Sequence, residues 1–80
     1  MRLALVEWID SNFQHGWTNK QAHMENKPSP CTSVGILLKE DSDRVTLVLN
    51  TSKDSAGDSI SIPRCAVKRI RYLEVKHDKV

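Results

Sequence analysis

Apolar and polar residues follow a β-type pattern most clearly in the middle of the chain. Every second residue of Arg44–Asn50 is apolar, starting at Val45, which is typical of a strand with one dry face. The preceding run, Val34–Lys39, is apolar on both faces and indicates a central strand or one that meets another subunit. Gly35 within that run predicts a bend or a close backbone approach. Residues 40–43 favour a turn, because Asp and Ser side chains hydrogen-bond the nearby backbone.

Three further strands are predicted from the distribution of β-forming residues. Arg2–Asp10 has no breaker and is apolar on both faces, so it predicts a first strand that is buried or contacts a subunit. Ser59–Ile62 predicts a short strand, followed by a tight turn over Pro63–Ala66. Val67–Val75 is rich in β-formers and favours a last strand, although apolar residues spaced by three leave a helix open. Lys76–Val80 is expected to fray.

A long polar excursion separates the first strand from the central pair. Ser11–Pro30 is too long to be structureless in a compact domain, so it is either functional or contains a short helix. Thr18 is the expected N-cap of a helix over Asn19–Glu25. Pro28 and Pro30 end that helix and favour an extended approach to the next strand.

Together these elements predict an all-β protein with one short helix in the first loop. A second polar loop, residues 52–59, contains Gly57 for a positive-φ turn. Five short strands and a tight turn before the last one indicate a five-stranded SH3-like or Sm-like antiparallel barrel, occupying residues 1–80 as one domain.

The length of 80 residues makes burial of a large core difficult, and oligomerisation is a common remedy. We therefore expect a homo-oligomer. Cys31 and Cys65 could form a bridge, but the chain is not cysteine-dense and shows no signal peptide, which favours free buried thiols in a reducing cytoplasm. No apolar run approaches the roughly 20 residues of a membrane helix, so neither a membrane partner nor a membrane location is expected.

The net charge of +2 is unevenly distributed. Residues 1–63 contain six Lys/Arg and eight Asp/Glu, whereas residues 64–80 contain six and two, so the C-terminal part carries +4. This segment is either a solvated edge with a charged tail or a face that binds anions.

The sequence contains no motif that indicates catalysis. It lacks a Gly-rich phosphate loop and the His and Cys spacings of metal sites, and we expect neither a cofactor nor a metal. The two cysteines with His15, His23 and His77 have no zinc-like spacing. The acidic turn at residues 40–43 is too short for a calcium loop.

Binding residues are easier to find. Aromatic rings on the first loop could stack on nucleobases, its polar groups could recognise base edges or ribose, and arginines could bind phosphates. The candidate ligand-binding residues are Asp10, Ser11, Phe13, Trp17, Arg64, Arg69 and Arg71.

Each candidate also has a structural explanation. Trp8 and Trp17 could serve the core, the first inside the sheet and the second as a lid at its end. Phe13 could serve either role. Arg69 and Arg71 could simply protect an exposed strand edge from pairing with other chains.

Two groups of short motifs carry a family resemblance. Val6–Ser11 followed by Gly16–Trp17, and Ser33–Gly35 followed by Ile60–Arg64, resemble small proteins of tailed bacteriophages that are commonly taken as Sm-like or SH3-like barrels. The similarity covers most of residues 3–73. It implies a phage protein acting in the host bacterial cytoplasm. Small phage proteins of this kind include oligomeric proteins that bind nucleotide signals of host immunity.

Three hypotheses about function follow. The first is a non-enzymatic phage protein that sequesters a small nucleotide-type ligand, an immune signal of the host, at an oligomer interface. The second is an Sm-like binder of RNA or single-stranded nucleic acid, against which the small net charge argues. The third is a protein that inhibits a host enzyme by docking on it.

Overall fold

The computed structural model describes residues 1–76. It contains one five-residue helix, a 3₁₀ helix over Arg64–Ala66 and five strands. The helix is α1 (Lys20–Met24), and the strands are β1 (Leu3–Asp10), β2 (Ser29–Glu40), β3 (Arg44–Thr51), β4 (Ala56–Pro63) and β5 (Val67–Leu73). The all-β class, the helix in the first loop and the strand at residues 67–73 are thereby confirmed. The fraying predicted for the C-terminus concerns mainly residues 77–80, which lie outside the described part.

All strands belong to one antiparallel sheet in the order β4-β3-β2-β1-β5. The prediction of a central β2 is confirmed, since two strands lie on either side of it. The last strand pairs with the first, so β1 also has a neighbour on both sides. The sheet is open within residues 1–76: β4 and β5 are its edges, and no ladder joins them.

One face of this sheet holds the core. Alternation along the strands brings together the fully buried side chains, and a half-buried shell packs against them. The buried cluster is Ala4, Val6, Val45, Leu47 and Ile62, and the shell is Trp8, Leu37, Ala66, Val67 and Ile70. Trp8 donates its indole N–H to Ser33 Oγ at 3.0 Å, so its polar atom is satisfied beside the core. Trp8 therefore serves the fold, as its structural explanation predicted.

Gly35 marks the point where β2 changes its partner. Residues 29–36 of β2 pair with β1, and residues 36–40 pair with β3. A Cβ at Gly35 would lie 3.0 Å from the Val48 carbonyl oxygen and 3.1 Å from the Leu47 Cβ. The predicted close backbone approach is confirmed, because β3 crosses here with no room for a side chain.

The turn between β2 and β3 forms by the predicted chemistry. The Asp41 carboxylate accepts hydrogen bonds from the backbone N–H groups of Asp43 and Arg44 at 2.8 and 2.9 Å. These bonds lower the pKa of Asp41, with the Arg44 N–H contributing most.

Several boundaries differ from the predictions. The N-cap of α1 is Asn19, whose side chain accepts from the Ala22 N–H at 2.8 Å, and not Thr18. β2 begins at Ser29 and β4 at Ala56, because pairing with β1 and with β3, respectively, extends these strands into stretches that were expected to be loops. The positive φ of the second polar region belongs to Asp58, at 57°, and not to Gly57.

The thiols also differ in part from expectation. Cys31 and Cys65 are both free, as predicted, but Cys65 is exposed and Cys31 only half-buried. Cys65 lies in the 3₁₀ helix, none of whose residues is fully buried.

The molecule is elongated. Its radius of gyration is 16.8 Å and its extents are 58 × 28 × 25 Å. A compact domain of this length would have a radius of gyration of about 12 Å. Few side chains are therefore surrounded on all sides, which agrees with only six buried hydrophobic residues within residues 1–76.

Candidate binding surface

The first loop, residues 11–28, is held by its own polar contacts. Asn26 donates its side-chain amide to the Asn12 carbonyl at 2.8 Å, so the two limbs of the loop are tied together. Gln21 donates to Glu25 along α1 at 3.1 Å. These bonds give the loop a defined shape, although none of its residues is fully buried.

The two aromatic rings of this loop face solvent. Phe13 is 84% exposed, and its ring centroid lies 5.9 Å from that of His15 in a tilted arrangement. Trp17 is fully exposed and follows Gly16, whose φ of 88° requires a residue without a Cβ. Trp17 does not close the end of the sheet as a lid, so its indole has both faces available for stacking.

Asp10 and Ser11 connect the loop to the sheet. Asp10 is the last residue of β1 and pairs in register with Ser29. Both Asp10 and Ser11 are exposed. They lie at the base of the loop that carries Phe13 and Trp17, so these four predicted residues belong to one segment of the surface.

Arg69 and Arg71 lie on β5, away from the loop. In register they face Glu7 and Leu5 of β1, on the side of the sheet opposite the core. Arg69 Nε is 4.0 Å from a Glu7 carboxylate oxygen, a weak exposed ion pair. From Glu7, strand β1 runs about 10 Å further to reach Asp10. The alternation of β1 also places Asp10 on the core side of the sheet.

Arg64 belongs to a different polar cluster. Its guanidinium is 3.2 Å from Glu40, and its backbone N–H donates to the Asp43 carbonyl at 2.9 Å. The Tyr72 hydroxyl lies 2.7 and 2.8 Å from the two Glu40 carboxylate oxygens. The Arg2 guanidinium lies 4.0 Å from the centre of the Tyr72 ring. This Glu40 cluster joins the first residues of the chain to the ends of β2 and β5.

The Glu40 cluster shifts the ionisation of its members. The hydrogen bond from the Tyr72 hydroxyl is the largest effect on the pKa of Glu40 and lowers it. Burial acts in the opposite direction, and the Arg64 guanidinium lowers the pKa further. The same hydrogen bond raises the pKa of Tyr72, since the carboxylate favours the protonated phenol. Sequence analysis missed this cluster, because Glu40 and Tyr72 are 32 residues apart and belong to no motif.

The predicted binding residues thus occupy three places. Asp10, Ser11, Phe13 and Trp17 form the loop group, Arg69 and Arg71 form a pair on β5, and Arg64 is engaged by Glu40. Within residues 1–76, no side-chain hydrogen bond or ion pair links the loop group to any of the three arginines. In the described part of the chain, the loop group and the arginines are thus not joined by polar side-chain contacts.

The described concavities lie elsewhere. Two shallow depressions of about 300 and 290 Å³ flank the tip of the β3–β4 hairpin. They are lined by Leu38 and residues of the segment 50–57. None of the predicted binding residues lines them.

The described residues were searched for metal-ligand groups and for membrane-spanning helices. No group of three or more potential ligands is close enough to hold a metal ion within residues 1–76, and His77 lies outside that range. No described helix has the length and apolar character needed to cross a bilayer.

Comparisons with protein-family models, with curated proteins and with solved structures gave no match.

Proposed function

We propose that this protein is a non-enzymatic binding protein whose recognition element is the first loop. The observation that supports it is the full exposure of Trp17 on a loop held by its own hydrogen bonds. A tryptophan in this position contributes nothing to the core, and its display to water carries a hydrophobic cost. Such a residue is well suited to a ligand that covers it.

The ligand class that fits this loop is a small nucleotide. Indole and phenyl faces stack on nucleobases, each stack contributing about 1 to 3 kcal/mol. Asp10 and Ser11 at the base of the loop supply an acceptor and a hydroxyl for the sugar or the base edge. Phosphate contacts require cations, and within one chain the arginines stay apart from the loop. The arginine contacts would therefore come from another subunit, which agrees with a site at an oligomer interface.

The resemblance to tailed-phage proteins supplies the biological setting. In that setting the protein acts in the bacterial cytoplasm and sequesters a nucleotide signal of host immunity. The barrel plan belongs to this proposal as well. The strand order and the 3₁₀ helix before β5 suit an SH3-like or Sm-like chain, and its closure would require β4 and β5 to meet.

The test is to titrate the purified protein with ATP and with cyclic mono- and dinucleotides while tryptophan fluorescence is recorded. A base stacked on Trp17 quenches the fluorescence of that residue, whereas Trp8 is half-buried beside the core and cannot stack on a ligand in the same way. We expect Trp17→Phe to abolish the quenching and Trp17→Ala to weaken binding about 10- to 100-fold, from the loss of one stack. The matched control is Leu49→Ala, an exposed residue on β3, which should bind normally. Full affinity of Trp17→Ala for a nucleotide that the native protein binds would contradict the proposal.

Docking on a protein is the second candidate, and a separate observation favours it. Met24 on α1 is 75% exposed on the same loop as the two aromatic rings. A loop that displays Phe, Trp and Met suits an apolar groove on a host enzyme. This function would be favoured if native mass spectrometry shows no nucleotide complex but a host protein stays bound to the native chain. The host protein should then be lost from Trp17→Ala.

The nucleic-acid alternative makes a different prediction. Binding through Arg69 and Arg71 would weaken steeply with salt, because phosphate contacts release counterions. Glu7 beside Arg69 reduces the local positive charge. A binding constant for single-stranded RNA that falls with salt and with loss of these two arginines would move the function to this class.

A further inference from the structure

Strand β2 has two strand partners, one after the other. Its ladder with β1 covers residues 29–36, and its ladder with β3 covers residues 36–40. Within residues 1–76, the stretch Pro30–Val34 therefore has a neighbouring strand on the β1 side only. The opposite side of this stretch, here called the free edge, lies inside the strand order β4-β3-β2-β1-β5 and not at either end of it.

The backbone groups on the free edge follow from one hydrogen bond and the register. The Leu37 N–H donates to the Arg2 carbonyl at 2.8 Å, so Leu37 bonds to the β1 side. The register with β1 has no shift along this stretch, and residues of an antiparallel strand bond to alternate sides. Thr32 and Val34 therefore direct their N–H and C=O groups to the free edge. Pro30 fits the same phase, because a proline facing β1 would leave a ladder bond unmade.

The free edge is open to solvent. Thr32 is exposed and Val34 is 58% exposed, although both lie on an inner strand. The β3–β4 hairpin turns away from this edge. Its tip, residues 51–56, borders a depression together with Leu38, which lies beyond Gly35 toward the end of β2. A further strand can therefore reach Pro30–Val34.

The surroundings of the free edge are uncharged. Residues 28–38 contain no Asp, Glu, Lys or Arg, and residues 49–52 of the hairpin contain none either. Phosphate groups of a nucleic acid therefore have no cation to bind at this edge. The edge instead offers backbone donors and acceptors at every second residue, beside the apolar side chain of Val34. An extended peptide segment matches both kinds of group.

We propose that the free edge of β2 binds an extended, uncharged segment of another protein, which adds a strand beside Pro30–Val34. The added strand exchanges hydrogen bonds with Thr32 and Val34, and it places an apolar side chain against that of Val34. Main-chain bonds provide the affinity in this kind of recognition, and alternate side chains provide the specificity. This surface is separate from the first loop, and its occupation needs no nucleotide.

The two outer edges of the sheet are less suited to an added strand. β5 carries Lys68, Arg69 and Arg71, and cations on an edge oppose pairing with other chains. β4 has a φ of 57° at Asp58 and ends at Pro63, which has no N–H to donate. The free edge of β2 has no charged residue and no positive φ.

Amide hydrogen exchange followed by NMR tests the edge in the native chain alone. The amides of Cys31 and Ser33 bond to β1, so those of Thr32 and Val34 should exchange at least about 10-fold faster. Equal protection of all four amides would show that the edge is already occupied and would overturn the proposal. Protection of Thr32 and Val34 that rises with protein concentration would assign the edge to a second copy, which overturns it as well.

The binding probe is a capped synthetic peptide of alternating threonine and valine residues. Saturation with this peptide should slow the exchange of the Thr32 and Val34 amides at least about 10-fold and leave β4 and β5 unchanged. No saturable binding up to about 1 mM would overturn the proposal, as would protection that appears on β4 or β5 instead.

Two control peptides have the same side chains but carry N-methyl groups on alternate backbone nitrogens, one control in each phase. A strand uses every second N–H toward one neighbour, so the two controls should differ in affinity by about 10- to 100-fold, from the loss of two hydrogen bonds. Equal affinities of the two controls would show binding through side chains alone and would contradict strand addition.

A matched pair of variants locates the site on the protein. Val34 and Leu38 lie on the same strand and are each 58% exposed, but Leu38 lies where β2 pairs with β3. Val34→Lys should weaken peptide binding at least about 10-fold, because it removes an apolar contact and puts a cation at the edge, whereas Leu38→Lys should bind normally. Equal effects of the two would refute the location. The peptide comparison uses the native chain, so the test does not depend on the folding of either variant.

Discussion

The position of the core can be tested by one pair of substitutions on a single strand. Ile60 and Ile62 lie two residues apart on β4 and on the same face, opposite Leu47 and Val45 of β3. Ile62 is completely buried, whereas Ile60 is 38% exposed. Replacing each by alanine removes the same atoms from the same strand, so the two variants differ only in their surroundings.

The magnitudes follow from burial. Ile→Ala removes three carbons, and each buried carbon contributes about 0.8 kcal/mol, or about 2.4 kcal/mol at Ile62. A residual cavity raises the cost of Ile62→Ala to about 3 to 4 kcal/mol. At Ile60 about three fifths of the side chain is buried and solvent fills the space, so about 1.5 kcal/mol is expected. Total stability for this length is about 4 to 12 kcal/mol, so the first change is severe.

Urea unfolding followed by circular dichroism measures both variants. With a slope of about 1 kcal/mol per molar urea, the midpoint should fall by about 3 M for Ile62→Ala and about 1.5 M for Ile60→Ala. Equal losses at the two positions, or a larger loss at Ile60, would refute the conclusion that burial on this face is deepest around Val45 and Ile62. The comparison should be made at a fixed protein concentration, since association adds to apparent stability.

The remaining predictions concern a glycine and an ionised cluster. Gly35→Ala should lower the free energy of unfolding by about 1 to 3 kcal/mol, measured by urea unfolding, because the added Cβ would lie 3.0 Å from the Val48 carbonyl oxygen. Gly57→Ala is the control: the nearest atom to its added Cβ is 3.8 Å away, so its free energy of unfolding should change by no more than about 0.5 kcal/mol. Equal effects of the two would contradict the close approach. The pKa of Glu40 is lowered in the folded state, chiefly by Tyr72. Ionised Glu40 therefore contributes to folding stability at pH values above its pKa in the unfolded chain, and this contribution is lost as the pH falls through its pKa in the folded protein. The stability difference between the native chain and Tyr72→Phe should therefore shrink from pH 7 toward pH 3, and a difference that grows on acidification would reverse the assigned sign.

The strands were largely predictable because their signal is local. The alternation in β3 and the apolar runs of β1 and β2 reflect which faces are buried, and burial follows from side-chain type. The ends of the strands were less predictable. β4 reaches back to Ala56 because pairing with Thr51 of β3 supplies hydrogen bonds that the polar residues alone do not indicate. Propensity is a weak guide where edge pairing decides the length of a strand.

The candidate site was predictable only as an inventory. The sequence shows which rings and cations exist, but not that Trp17 is displayed while Arg64 is held by Glu40. It also shows no reason for Arg69 and Arg71 to lie on the face opposite the core, since that depends on the register between β1 and β5. A shift of one residue would have exchanged the faces.

By itself, the sequence determined the all-β class, the positions of the five strands, the short helix and the close approach at Gly35. These features depend on neighbours along the chain and on the absence of a Cβ. Only the tertiary structure decided that the sheet is open and elongated, that the predicted binding residues fall into three groups, and that Glu40, Tyr72 and Arg64 meet. Those outcomes depend on contacts between residues distant in the chain, such as Glu40 with Tyr72, 32 positions apart, and Leu3 with Leu73, and strand order and register set such contacts.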